Sequence, residues 1–309
     1  MEKLAALSVD LDEIPCYTAI HGLPLPEGAA AHAIYDRCVE RFESLFGDLG
    51  IPATFFAIGR DLQRAAAAEK LLRLHRAGHE IANHSYHHFY DFSRRPRQEM
   101  RQEVRRCSEA IVALTGQARV GFRAPGYVIN DAVVEVLREE GVAYDSSVFP
   151  CPPYYAAKAA AIGLFRLQGR RSRSIVDRPS VLLAPGDPYR MGQPYWRRGE
   201  GLLQLPITVG PWWVLRFPFI GTSVVLAGPA QAARMARLCA SRPFVQLELH
   251  GIDLADSQAD GLGFLENHQP DLRRSAQAKA EAIRAAVEAL RGAGFRFARL
   301  DEIAERYAP

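Results

Sequence analysis

Two acidic side chains follow the first apolar run of the sequence. Residues 4–9 have the pattern of a buried strand, and Asp10 and Asp12 come at its end. Because strand side chains alternate, residues two apart share a face, here at the carboxyl end of a strand, where parallel α/β folds place their sites. Two carboxylates this close repel each other unless one binds a cation or keeps a proton. The pair predicts a functional site, and the alternative is a helix cap beside a surface acid.

Three of the nine histidines, His84, His87 and His88, lie within five positions. If residues 84–88 form a helical turn, His84 and His88 face the same side and can reach one ion. Two histidines with one carboxylate are a common catalytic metal set that leaves positions open for water and substrate. Spacing alone leaves His87 as another partner for His84, and a polar loop with chance histidines is the alternative to a metal site.

Two more candidates follow short apolar runs. His250 comes after residues 244–249, which have a strand pattern, so it too is expected at the carboxyl end of a strand. Arg123 follows the short run 120–122 and precedes a turn. The alternatives are a structural histidine and a surface arginine.

The elements that must hold these residues alternate between strand and helix. This rhythm predicts a mostly parallel sheet, either a barrel or a doubly wound layer. Residues 150–200 are rich in Pro, Tyr and Arg and have no clear period, so we interpret them as a long insertion in a single domain over residues 1–309. The predicted strands are 4–9, 53–58, 80–82, 120–122, 142–144, 202–208, 244–249 and 295–298, and the predicted helices are 31–49, 60–77, 96–114, 131–140 and 271–291.

Composition narrows the class of protein. The 38 Lys and Arg residues exceed the 35 Asp and Glu residues by only three, which does not indicate nucleic-acid binding. The five cysteines form no CxxC pair, which argues against a disulfide framework and favours a reducing compartment. The first residues lack a signal-peptide pattern, and no stretch of about 20 apolar residues occurs. We therefore expect a cytoplasmic protein.

A basic stretch followed by aromatic residues suggests a membrane contact. Residues 166–198 contain eight arginines and two acids, and Trp212 and Trp213 follow soon after. A basic face beside an apolar lip suits a cytoplasmic enzyme that binds a phosphate-bearing lipid carrier at the inner face of a membrane. The alternative is a solvated arginine loop with aromatic side chains packed against the barrel, as most aromatic runs are.

The order of these segments resembles the polysaccharide deacetylase family, also called the NodB-homology or carbohydrate esterase 4 family. Five motifs in the family's order are far more specific than any one of them. The commonest family pattern has two adjacent aspartates, whereas an Asp-x-Asp pattern is typical of a subgroup with bacterial peptidoglycan deacetylase-like proteins and the deformylase of lipid A arabinose modification. The motifs are Asp10-Leu11-Asp12, the segment 78–88 that ends in His84-Ser85-Tyr86-His87-His88, Arg123-Ala124-Pro125, Tyr144-Asp145-Ser146-Ser147 and Leu249-His250.

The resemblance implies a distorted (β/α)7-type barrel and a role for each candidate residue. Asp10 corresponds to the general base, Arg123 to the residue that orients it, and His250 to the general acid. The ion is expected to be divalent, with zinc as our prediction. The family's metal ligands correspond to Asp12, His84 and His88.

The activity implied by the resemblance is hydrolysis of a linear amide, with removal of an N-acyl group, predicted to be acetyl, from an amino sugar or its conjugate. A deformylase acting on a lipid-linked amino sugar is an alternative. A metal-independent, allantoinase-like hydrolase of cyclic amides normally lacks the complete triad. A glycosidase needs carboxylates on opposite sides of a sugar bond, which Asp10 and Asp12 suit poorly. A non-catalytic binding module would be expected to have lost Asp10 or His250.

Overall fold

Parallel strands surrounded by helices form the frame of the protein, as a computed structural model describes it for residues 2–167, 169, 172–212 and 216–307. The strands are β1 (Lys3–Asp10), β2 (Thr54–Ala57), β3 (Glu80–Asn83), β4 (Tyr189–Met191), β5 (Arg198–Gln204), β6 (Phe244–His250) and β7 (Phe295–Phe297). The helices are α1 (Ile14–His21), α2 (Val39–Leu49), α3 (Ala65–Arg76), α4 (Arg97–Thr115), α5 (Asp131–Glu139), α6 (Pro152–Leu167), α7 (Gly221–Ala227), α8 (Pro229–Cys239), α9 (Ala276–Gly292) and α10 (Leu300–Arg306).

The main sheet has the order β3-β2-β1-β6, and β7 pairs with the first residues of β1. All of these pairings are parallel, so the carboxyl ends of the strands meet at one edge. The sheet continues beyond β3 through single bridges and returns to β6, which curves it into a ring. The α/β class and the distorted barrel predicted from the sequence are therefore confirmed. The bridges join Asn83 to Phe122, Phe122 to Asp145, Asp145 to Gln204, and Ile220 to Glu248.

Helices cover the outside of the ring because each has an apolar face. In α2, for example, Val39, Phe42, Phe46 and Leu49 follow helical spacing, and all four side chains are buried. They join β1, β2 and the inner faces of α3 and α9 in the largest hydrophobic core. This packing holds the strands, and therefore the residues at their ends, in fixed positions.

Two predicted strands are wrong in extent. Runs 120–122 and 142–144 form no ladder and are joined to the sheet only by single bridges, at Phe122 and at Asp145, one residue beyond the second run. Predicted strand 202–208 is displaced toward the amino end, since β5 ends at Gln204. The bridges nevertheless bring the residues that follow them to the same edge of the ring.

The stretch 150–200 is more regular than its sequence suggests. It contains helix α6 and most of the antiparallel pair β4–β5. Helix α6 escaped prediction because none of its residues is buried, so its sequence has no apolar period. Whether this stretch is an insertion in one domain stays a prediction.

A buried carboxyl group ties the opposite end of the ring together. Glu80 accepts hydrogen bonds from the Thr54 hydroxyl at 2.7 Å, the Tyr144 hydroxyl at 2.9 Å and the Asp301 amide at 3.0 Å. These contacts join β2, β3 and the start of α10. Burial, and then the charge of Asp301, raises the pKa of Glu80 to about 8.

The raised pKa of Glu80 predicts a stability that falls as pH rises. Between the unfolded value of 4.5 and about 8, the folded protein keeps a proton that the unfolded chain releases. The free energy of unfolding of the wild type, relative to Glu80→Gln, should fall by about 1 kcal/mol per pH unit across this window. Denaturant unfolding at pH 5.5, 6.5 and 7.5 measures it. The control is Glu305→Gln, on the exposed side of α10, and a constant difference between wild type and Glu80→Gln would contradict the prediction.

Candidate active site

Three buried side chains converge at the carboxyl edge of the sheet. Asp12 Oδ1 lies 3.3 Å from His84 Nε2 and 3.1 Å from His88 Nε2. One ligand atom from each residue lies within 4.8 Å of the other two. Among the described residues, no hydrogen bond satisfies Asp12 Oδ1 or either ring nitrogen of His88. Buried polar atoms normally have hydrogen-bond partners, so unpaired ones that converge on one point suggest a bound ion. The nitrogen and oxygen atoms of this set are ligands that zinc, a divalent ion, accepts.

The histidine loop is not the helical turn that the spacing suggested. Ser85 and His88 have positive φ angles of 62° and 57°, a conformation that side chains other than glycine rarely adopt. Local side chains support it, since Asn83 Oδ1 accepts a hydrogen bond from the Ser85 amide at 2.8 Å and Ser85 Oγ accepts one from the His88 amide at 3.1 Å. Such bonds compete with helix formation. The helical turn is therefore wrong, although His84 and His88 do come together.

The neighbouring histidine points away from the proposed ion. The His87 ring places Nδ1 2.5 Å from Glu103 Oε1, and its backbone amide donates to Glu103 Oε2 at 2.7 Å. Glu103 belongs to α4, on the outside of the ring. The choice that spacing left open is thus decided by contacts with a distant helix.

The orientation of His84 is fixed by its second nitrogen. Nδ1 lies 2.8 Å from the Arg123 carbonyl oxygen, to which it can only donate. This bond selects the tautomer in which Nε2, which faces Asp12, keeps its lone pair for an ion.

One carboxylate oxygen of Asp10 accepts a hydrogen bond, and the other does not. Arg123 Nη1 donates to Asp10 Oδ1 at 2.5 Å, whereas Asp10 Oδ2 has no hydrogen bond among the described residues and lies 3.7 Å from His84 Nε2. Burial raises the pKa of Asp10, and Arg123 opposes this rise. A carboxylate with one oriented oxygen and one free oxygen beside an ion has the geometry of a general base.

Arg123 is fully buried, so the alternative interpretation of it as a surface arginine is wrong. Nη2 donates to Ser8 Oγ and Ser146 Oγ at 2.9 Å each, and the guanidinium lies 4.1 Å from the centre of the Phe56 ring. The motif at 144–147 supports it from behind, because Ser147 Oγ accepts a hydrogen bond from the Ala124 amide at 2.8 Å. That motif is therefore structural in this chain.

His250 lies beside Asp10 in the register of β1 and β6. His250 Nδ1 is 3.0 Å from Glu248 Oε1, and its Nε2 is 3.3 Å from the Tyr127 hydroxyl. Burial alone would lower the pKa of His250, but the Glu248 carboxylate outweighs it and raises the pKa well above its usual value. His250 is thus a protonated group, as a general acid must be.

Glu248 is a site residue that the sequence reasoning missed. It is fully buried and, with Asp10 and His250, forms a second cluster of converging ligand atoms. The signal was present, because Glu248 precedes His250 by two positions on one strand and therefore shares its face. Asp10 and Asp12 share a face for the same reason.

The structure describes only part of the aromatic segment that the sequence suggests as a membrane contact. The Trp212 side chain is 53% exposed, whereas Phe219 is buried, as the packing alternative predicts. Trp213, Arg170 and Arg171 lie outside the described residues. Among the described helices, none is long and apolar enough to cross a bilayer.

Comparisons with known proteins agree with this fold. Residues 33–144 match the family model for polysaccharide deacetylase. The peptidoglycan deacetylase of Helicobacter pylori is 27% identical over 158 residues, which cover 50% of this chain and 53% of that protein. The chain therefore spans about half the length of this curated relative.

Solved structures extend the likeness to the whole fold. A Mycobacterium smegmatis protein assigned as a polysaccharide deacetylase has a TM-score of 0.56 at 20% identity, over 99% of this chain and 91% of its own. A carbohydrate esterase 4 family pseudoenzyme from Bacillus anthracis has a TM-score of 0.51 at 13% identity, over 98% of this chain and 66% of its own. The resemblance to the NodB-homology polysaccharide deacetylase family is thus confirmed.

The ligand geometry predicts which histidine controls metal binding. Replacing Asp12, His84 or His88 by Ala should weaken zinc binding by more than the roughly 10–100-fold that loss of an outer partner costs. His87→Ala is the matched control, since its ring contacts Glu103, and it should keep the metal. Metal analysis after dialysis against buffered low free zinc measures both. Stoichiometric zinc in all three ligand variants would overturn the assignment.

Proposed function

We propose that this chain is a metal-dependent hydrolase that removes an N-acyl group, acetyl in our proposal, from an amino sugar or its conjugate. The observation that carries the proposal is the position of Asp10. Its free oxygen lies 3.7 Å from His84, and the strand register puts protonated His250 beside it. A base, an acid and a set of metal ligands therefore meet at one buried point.

The ion held by Asp12, His84 and His88 would supply a Lewis acid for the acyl oxygen and for water. Asp10 Oδ2 takes a proton from the attacking water, whose oxygen forms the new bond to the acyl carbon. Arg123 keeps the other oxygen of Asp10 occupied, so the base presents a single atom to the water.

The leaving group is the harder half of the reaction. An amide nitrogen leaves poorly as an anion, so the carbon–nitrogen bond breaks as the nitrogen receives a proton. His250 carries that proton, and Glu248 stabilises its charged form from the Nδ1 side. Nε2, which contacts the Tyr127 hydroxyl, is the atom free to deliver it. The products are a carboxylic acid and a free amino group.

The intact set of side chains favours an enzyme over the two nearest alternatives. An allantoinase-like hydrolase would not require three converging metal ligands, and a binding module would not require a protonated His250 beside Asp10. The relative from Helicobacter pylori supports an amino-sugar substrate. A deformylase remains the second candidate, because formyl and acetyl groups differ by one methyl.

A screen tests the proposal directly. The zinc-loaded protein is incubated with free, nucleotide-linked and polyprenyl-linked N-acetyl and N-formyl amino sugars, and released acetate and formate are measured. We also propose a cytoplasmic location and peripheral contact with a lipid carrier, and preference for the polyprenyl-linked substrate would support that contact. Absence of both acids with every substrate would overturn the function.

The base and acid roles predict two variants that keep metal and lose turnover. Asp10→Asn and His250→Ala should each bind zinc and lose roughly 100-fold or more in kcat, because each removes one proton transfer. Asp48→Asn, on the exposed end of α2, is the control and should keep normal turnover. Near-normal kcat in Asp10→Asn would exclude it as the base.

The Glu248–His250 pair predicts a change in the pH profile. Activity requires protonated His250, and the nearby carboxylate raises its pKa. In Glu248→Gln the alkaline limb of kcat/KM should therefore move to lower pH by about 1 unit or more. Glu103→Gln is the matched control, since Glu103 pairs with His87 instead, and its alkaline limb should stay in place. An unmoved limb in Glu248→Gln would exclude this coupling.

A further inference from the structure

Helix α6 contacts two segments that flank the active site, the loop 124–127 and the end of α1, and we call the space between them the mouth of the site. Near its first turn, the Tyr154 ring packs 6.0 Å from the Tyr127 ring, which itself lies 6.1 Å from the His250 ring. One turn further, Lys158 Nζ donates to the Gly126 carbonyl oxygen at 2.9 Å. This end of α6 therefore rests on the loop that follows Arg123.

The other end of α6 reaches the opposite side of the mouth. Phe165 meets the ring of His21 edge-on, with 6.3 Å between the ring centres. His21 ends α1, the helix that begins two residues after Asp12, and it also contacts His268 from the loop before α9. The helix thus connects the His250 side of the site to the Asp12 side.

This helix is only partly buried, and it meets the hydrophobic core through Tyr154 and Tyr155 near its first turn. None of its residues is buried, and the Leu164 and Leu167 side chains are 53% and 87% exposed. A helix with so little apolar burial gains little stability from the barrel. Besides the contacts at the mouth, the Tyr155 hydroxyl holds it by donating to the Asp177 carbonyl oxygen at 3.0 Å.

Beneath it, the walls of the site are aromatic and carry unused hydroxyl groups. The Tyr90 ring packs 4.8 Å from the ring of His88, and Tyr17 lies on α1. Neither hydroxyl has a hydrogen-bond partner among the described residues, although both are buried. Rings with hydroxyl donors suit one sugar unit, which has apolar faces and a polar edge.

We propose that α6 roofs the active site, so that it admits one N-acyl amino sugar, free or at the end of a conjugate, and excludes the interior of a polysaccharide chain. This inference rests on the proposed function. A chain that continued on both sides of the reacting sugar would need to pass under α6, where Lys158 and Phe165 attach it to the rim. A terminal sugar needs only one opening.

The positions at which the enzyme deacetylates a short polymer test whether α6 excludes the interior of a chain. The zinc-loaded wild type is given N-acetylglucosamine, its nucleotide-diphosphate conjugate and the hexamer of N-acetylglucosamine, and mass spectrometry locates the deacetylated unit. We expect deacetylation of the small substrates and, in the hexamer, of a terminal unit only. In Lys158→Ala/Phe165→Ala, the ratio of internal to terminal deacetylation should rise by about tenfold or more. Leu164→Ala, next to Phe165 on the exposed face of α6, is the control and should keep the wild-type pattern.

These outcomes distinguish the proposed role of α6 from the proposed deacetylase activity. Deacetylation of internal units by the wild type would overturn the roof while supporting the deacetylase, whether or not the double variant folds. An unchanged pattern in a folded, zinc-loaded double variant would also overturn it. Failure to release acetate from all three probes and from the substrates of the wider screen would overturn the proposed function instead.

Discussion

The buried guanidinium of Arg123 is the constraint on which the site depends. A cation inside the ring is tolerated only if its donors are paired, and here they meet Asp10, Ser8 and Ser146. The backbone of the same residue accepts the hydrogen bond that orients His84 and donates to the Asn83 carbonyl oxygen. One residue therefore fixes Asp10, the proposed base, His84, a proposed metal ligand, and the end of β3. Removing its side chain would leave Asp10 as an unpaired buried charge, at a cost of about 3–5 kcal/mol.

The two aspartates at the end of β1 are given different properties by their surroundings. Burial dominates for Asp10 and raises its pKa despite Arg123, whereas His88 and His84 bring the pKa of Asp12 well below its usual value against the same burial penalty. Groups whose pKa values are pushed apart can take different roles, and here one suits a proton acceptor and the other a permanent ligand. His250 completes the set as a proton donor because Glu248 stabilises its charge.

The segments that we expect to select the substrate are not the strands that hold the proposed catalytic groups. The barrel supplies strand ends that meet, but the space above them belongs to α6, α1 and the loop after Arg123. These segments also touch the proposed catalytic groups, since the Tyr127 hydroxyl lies 3.3 Å from His250 Nε2. The Bacillus anthracis pseudoenzyme has a similar fold, with a TM-score of 0.51. The ring of strands by itself therefore does not define an activity. In our proposal, these segments decide what the chain acts on.

The sequence by itself determined the features that depend on local periodicity. The apolar run before Asp10 and the alternation in residues 244–250 are sufficient to predict β1, β6 and the placement of Asp10 and His250 at strand ends. The motif order further indicated the family. Only the tertiary structure decided between His88 and His87, revealed α6, and paired Arg123 with Asp10 across 113 positions of the chain. Contacts between distant segments leave no period in the sequence, because the partner that fixes each side chain is set by packing and strand register.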